Sequence, residues 1–216
     1  MTPRFRHCAA GFTLLELLVV VSIVGIVTAI GTSTFYGVMA AWNERRSIAE
    51  LDAQADAALD SIRQDLAETL SYEVSGRSIS GESRTVEDTR TFPPALHQDD
   101  QLLIPVRAID PNRPLAVPAN VGYRVERTGD SGILVRTIGS LGDGFPDTNR
   151  MELMPQARVL GFSVEFLATD SDALWMPAWS EQELPAAIRV SLSIEDIDRP
   201  AQFQVARQMV YPVRVR

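Results

Sequence analysis

The chain has 216 residues, 45% apolar and 22% charged, a composition that excludes wholesale disorder and suits one domain of ordinary size with an appendage. Its formal charge is −8, and the twenty basic residues are all Arg and form no block, which argues against nucleic acid as a partner. The one cysteine is Cys8, so no intramolecular disulfide can brace the fold, and the core must hold it.

Residues 1–11 carry Arg4, Arg6 and His7 and no acid, and the chain then turns apolar from Phe12 to Ile30. As a helix, a run of this length crosses the roughly 30 Å hydrocarbon core of a bilayer. A basic flank stays cytoplasmic by the positive-inside preference, which sends everything after Ile30 outward. A secretory signal cleaved after Val27-Thr28-Ala29 and an uncleaved signal anchor are the competing readings. Glu16 tells against both. A carboxylate costs about 2.5–3.5 kcal/mol at the centre of a membrane helix, and less near its end. One turn from Phe12, Glu16 needs a cation at its own depth, and a cut after Gly11 creates one in the α-amino group of Phe12.

Gly11-Phe12-Thr13-Leu14-Leu15-Glu16, with a short basic leader before it and an unbroken apolar run after it, resembles the type IV prepilin signature of pilins and type II secretion pseudopilins. The resemblance implies that a membrane prepilin peptidase cuts after Gly11 and methylates the Phe12 amine. It also implies that Glu16 pairs with a neighbouring subunit's amine during assembly. The leader would occupy 1–11 and the transmembrane assembly helix 12–31. Loss of the leader removes Arg4, Arg6 and Cys8, leaving a more acidic chain without a thiol.

Beyond Ile30 the apolar residues Phe35, Val38, Met39, Trp42, Ile48, Leu51, Ala55, Ala58, Leu59, Ile62, Leu66 and Leu70 recur at helical intervals with acids and Arg mostly between them. This predicts an amphipathic stem over 32–72 that ends before Ser75-Gly76. Residues 78–98 read as an irregular connection. Short β-like runs follow at 102–106, 121–125, 133–138, 159–167, 188–194 and 203–211, several with period-two alternation, and Thr128-Gly-Asp-Ser-Gly132 is a hairpin-turn signal. The expected fold is α+β: a long N-terminal helix packed on a mainly antiparallel β-rich head over 73–216.

Trp175-Met-Pro-Ala-Trp179, an acidic spacer and Leu184-Pro185 leading into a strand resemble the C-terminal region of the J-type minor pseudopilins, the GspJ family, as Asp65-Leu66 near the end of the stem resembles that family's Arg-Asp-Leu pattern. Gln64 stands where that pattern has Arg, and Ala186 where a basic residue is common. The resemblance makes Trp175, Trp179, Leu184 and Pro185 candidate partner-contact residues of the head. It implies a structural subunit of the pseudopilus tip, anchored by one pass in the bacterial inner membrane with its C-terminal domain in the periplasm. The implied partners are I-type and K-type minor pseudopilins, with H-type and major pseudopilins as further neighbours. A minor pilin of a type IV pilus shares the whole N-terminal signature and stays open. So does a signal-anchored periplasmic binding protein or enzyme.

Chemistry is sparse in the sequence. There is no Gly-x-Ser-x-Gly, no phosphate-binding glycine loop and no Cys/His cluster, so neither a cofactor nor enzymatic activity is expected. His97, between Pro93-Pro-Ala-Leu96 and Gln98-Asp99-Asp100, reads as part of an exposed loop. Asp143 and Asp147, in Gly142-Asp-Gly-Phe-Pro-Asp147, are weak calcium candidates, because Ca²⁺ needs about six to eight oxygens.

Overall fold

The computed structural model describes residues 13–71, 75–88, 95–109, 116–129, 131–142, 144–169, 174–200 and 203–213. They fall in two compact units, Met1–Arg46 and Ser47–Arg216. Helix α1, Leu14–Ala67, supplies the described part of the first unit and the opening of the second.

In the second unit α1 buries Leu51, Ala55, Ala58, Leu59, Ile62 and Leu66, a stripe at three- and four-residue spacing. The fully buried Leu59 and Ile62 each contribute about 1.5–3 kcal/mol by leaving water. The helix stops at Ala67, short of the expected 72, because the chain finds better partners for its backbone. Glu68 and Thr69 close tight turns onto Asp65 and Leu66, and the Leu70 N–H then donates to the Pro105 carbonyl at 2.9 Å. Leu70 is buried there, which satisfies the apolar periodicity without continuing the helix.

The strands are β1 Ser80–Glu82, β2 Thr85–Asp88, β3 Ala95–Gln98, β4 Gln101–Ile109, β5 Ala116–Thr128, β6 Ser131–Ser140, β7 Met151–Glu152, β8 Ala157–Leu167, β9 Ala187–Asp196 and β10 Gln204–Pro212. They form a five-stranded sheet in the order β1-β4-β5-β6-β7, a three-stranded sheet β10-β9-β8 and the hairpin β2-β3, with every strand pair antiparallel. The fold is therefore α+β, as the sequence predicts, and all six β-like runs lie on strands. The segment 78–98 does not stay irregular: β1, β2 and β3 all fall inside it. Its polar, Ser- and Arg-rich composition hides short strands, which need only a few cross-strand partners.

The β5–β6 hairpin turns where the sequence places it, with Thr128 opposite Ser131 and Gly129 at φ 65°, a conformation that favours glycine. Residues alternate between buried and half-buried along β8 and β9, and β8 breaks register between Val159 and Gly161 at a bulge. The inward residues of both sheets, Val121, Tyr123, Leu134, Phe162, Phe166, Ile188 and Leu192 among them, join the α1 stripe in one continuous core.

Candidate assembly segment and head surface

Gly11 and Phe12 lie outside the described residues. Immediately after them Thr13 caps α1: the Glu16 N–H donates to the Thr13 carbonyl at 3.1 Å and lies 3.3 Å from its hydroxyl. Glu16 therefore sits in the first helical turn, where a negative charge is favoured by the helix dipole. From Leu14 to Trp42 every large apolar side chain is exposed, and residues 17–43 carry no charge. Four hydroxyls of this stretch bond to the helix's own backbone. Ser22, Thr28, Thr32 and Thr34 donate to the carbonyls four residues earlier at 2.7–2.9 Å, so the segment presents few unsatisfied polar groups to an apolar medium. By length and composition this helix can cross a membrane.

In the head, the candidates of the Trp-containing segment have different fates. Trp179 is buried, stacks on Phe166 with ring centroids 6.2 Å apart, and donates its indole N–H to the Glu183 carbonyl at 3.0 Å. Its backbone pairs in both directions with Gly81, at 3.0 Å each way, tying this loop to β1. Pro185 is buried and Leu184 packs at the margin of the core. Trp175 is half-buried beneath the Arg189 guanidinium, which lies 3.9 Å from the ring centroid and also pairs with Glu165 at 2.9 Å. These aromatics thus organise the head's own loop, and only Trp175 offers part of its surface outward.

The Asp147 carboxylate accepts from Arg124 at 2.8 Å, and Asp143 lies outside the described residues. Among the described residues no group of three His, Cys, Asp or Glu side chains is placed to hold a metal ion. His97 is not in an exposed loop. It is a half-buried residue of β3 whose Nδ1 lies 2.7 Å from the Leu160 carbonyl at the β8 bulge. The acids after it are buried too. Asp99 forms a forked pair with Arg127, and Asp100 accepts from the Arg84 and Val164 N–H groups at 2.9 and 2.8 Å.

The strongest polar constellation was not legible as such in the sequence. Asp65, on the buried side of α1, accepts two hydrogen bonds from Arg136 of β6 at 2.8 and 2.7 Å and a short one from the Tyr123 hydroxyl of β5. Burial, then the Asp65 charge, drives the Tyr123 phenol far above its ordinary range, so it serves as a neutral donor. The Asp65 hydrogen bonds hold Arg136 firmly charged. A signal existed: Asp65 falls between Ile62 and Leu66 on the apolar stripe, where an acid requires a partner. The partner's identity depends on how the strands are ordered. On the head surface, Glu126 is held below its ordinary range by the hydrogen bond from Arg124, with Arg150 adding to it.

Residues 6–32 match the family described as Prokaryotic N-terminal methylation motif. The chain carries a type IV prepilin-like N-terminus. The match implies processing by a prepilin peptidase, and it fits a single-pass anchor formed by the first part of α1. No curated protein matches the chain.

Proposed function

We propose that this prepilin-like protein is a minor pseudopilin of J type, a structural subunit at the tip of a type II secretion pseudopilus. In this reading it is cut after Gly11, methylated on Phe12 and assembled through Glu16. The observation that carries the reading is the placement of Glu16, the one charge between Thr13 and Asn43, in the first turn of α1, where from Leu14 to Trp42 every large apolar side chain is exposed. A carboxylate so placed gains from a cation on an adjacent helix, and a freshly cut α-amino group at the same depth is that cation. The Trp175–Pro185 segment and its J-type resemblance favour the secretion reading over a type IV pilus. The head's work is then contact with I-type and K-type subunits, with no cofactor and no catalysis.

N-terminal mass spectrometry of protein extracted from its native membrane tests the processing step. A chain beginning with methylated Phe12 is expected, and one beginning at Met1 or Ile30 overturns it. Glu16→Leu should leave the processed protein in the membrane yet remove it from the assembled filament fraction. Copurification with I- and K-type pseudopilins, as against pilus subunits, decides between the two assemblies.

A further inference from the structure

Of the sheet edges in the head, several are closed by other parts of the chain. β7 lies along β6, and the Trp179 loop pairs with β1 through Gly81. On the outer side of β8, Phe162 accepts from the Asp100 N–H and Phe166 pairs both ways with Met176. The edge of β10 is different. Its pairing with β9 runs in one register from Gln204 opposite Glu195 to Pro212 opposite Ala187. In the same register Asp196 donates to the Phe203 carbonyl at 3.1 Å and Val213 donates to Ala186 at 3.0 Å. Antiparallel strands alternate between residues that bond to the neighbour and residues whose N–H and C=O point away. The odd-numbered residues therefore face β9, and Gln204, Ala206, Gln208 and Val210 turn both backbone groups outward, Pro212 its carbonyl alone. Among the described residues no backbone group closes that row.

An edge of nine residues with this much free hydrogen bonding is normally shortened, covered or guarded by charge. Here the outward residues are uncharged and, Gln208 apart with its amide on Ser191 at 3.0 Å, make no side-chain bond to the rest of the sheet. The one Arg of the strand, Arg207, pairs with Asp52 at 2.7 Å, and a second nitrogen lies 3.5 Å from the Ala206 carbonyl, a long contact that engages one outward acceptor and none of the outward donors. The row is also self-complementary. Antiparallel pairing of two copies about Gln208 sets Ala206 opposite Val210 of the second copy in both directions, so the small side chain lies beside the exposed valine. Because the chain is net acidic, an uncharged row is where a second copy approaches with least repulsion.

We infer that the outer edge of β10 is a strand-addition site for a second copy of this chain, joined antiparallel about Gln208 into a continuous six-stranded sheet. The inference is independent of whether the assembly is a pseudopilus or a pilus. A lone strand pair is a small interface, so pairing depends on the high local concentration of copies anchored in one membrane.

Disulfide trapping of the full chain in membranes tests it, in a Cys8→Ser background that removes the native thiol. Gln208→Cys should give a disulfide-linked dimer under mild oxidation, because facing residues of such a pair lie within disulfide reach. Ala206→Cys and Val210→Cys should each give little dimer alone but should cross-link to one another when co-expressed. Adding Ala206→Pro to Gln208→Cys removes one outward N–H without touching the β9 ladder, and should cut the dimer yield at least tenfold while leaving Tm within a few degrees. Equal cross-linking from Ser191→Cys, in the middle of the sheet, or a yield unaffected by Ala206→Pro, overturns the inference. So does a wholly monomeric Gln208→Cys.

Discussion

Asp65 shows how much one side chain can hold. Its carboxylate is the single acceptor that joins α1 to β5 and β6 through Tyr123 and Arg136. Removing it strands a buried guanidinium and a buried phenol, and breaking one partner of such a pair typically costs about 3–5 kcal/mol. Asp65→Ala is therefore expected to lower the thermal midpoint of the head by roughly 10 °C, at about 2–4 °C per kcal/mol for this size. The double variant Asp65→Leu with Arg136→Met should recover much of that loss, since it leaves no charge unpaired; differential scanning calorimetry measures both. Tyr211 gives a second prediction, in pH. Burial, with the Asp60 charge next, pushes its phenol up to about 12, and its hydroxyl donates to the Leu59 carbonyl at 2.9 Å. The unfolded chain releases this proton near pH 10, while the folded one keeps it until about 12. The folded state then binds more protons, so its stability is intact below pH 10 and falls as pH rises from 10 towards 12. Tyr211→Phe should make that alkaline fall shallower in denaturant titrations, with a loss of about 0.5–1.5 kcal/mol at neutral pH from the missing hydrogen bond.

Among the elements, the strands with period-two apolar alternation and the glycine-bearing hairpin were legible because both signals are local. The end of α1 was not, because the periodic Leu70 is buried by pairing beside β4, and no periodicity distinguishes that from another helical turn. β1 was hidden for a related reason, since its partners, β4 and the Trp179 loop, lie elsewhere in the sequence, while β2 and β3 pair only with each other and carry too few alternating apolar residues to announce a strand. Distance along the chain concealed the Arg136 and Tyr123 partners of Asp65, whereas His97 became a strand residue through its nearby partner Val86 in β2. In the N-terminal segment Glu16 was readable from spacing alone, because there the argument needs only one helix and an apolar medium. The glycines of the hairpin region test the packing between elements. A Cβ on Gly132 would run into the backbone carbonyl of Val159, which cannot swing aside as a side chain could. Gly132→Ala should cost about 1–3 kcal/mol by displacing β6 from β8. Gly142→Ala, whose Cβ would meet only the Ser140 hydroxyl at ordinary contact distance, is the matched control, and urea unfolding reads both.

For the whole molecule, the two units answer to different solvents. The head has a conventional buried core, whereas the described part of the first unit buries no large apolar side chain at all. Val24→Arg should therefore leave the head's own stability unchanged but displace the chain from carbonate-washed membranes, since a cation at the centre of a span costs about 2.5–3.5 kcal/mol. The uncharged stretch 17–43 has a further mechanical consequence. At about 1.5 Å per residue it measures roughly 40 Å, against roughly 30 Å of hydrocarbon. A span of that excess can shift by nearly two turns along the membrane normal with only uncharged residues in the hydrocarbon. A subunit lifted along the membrane normal would meet a gentle slope set by tail contact alone, until the charged groups at its inner end, Glu16 first, reached the oil and marked a stop.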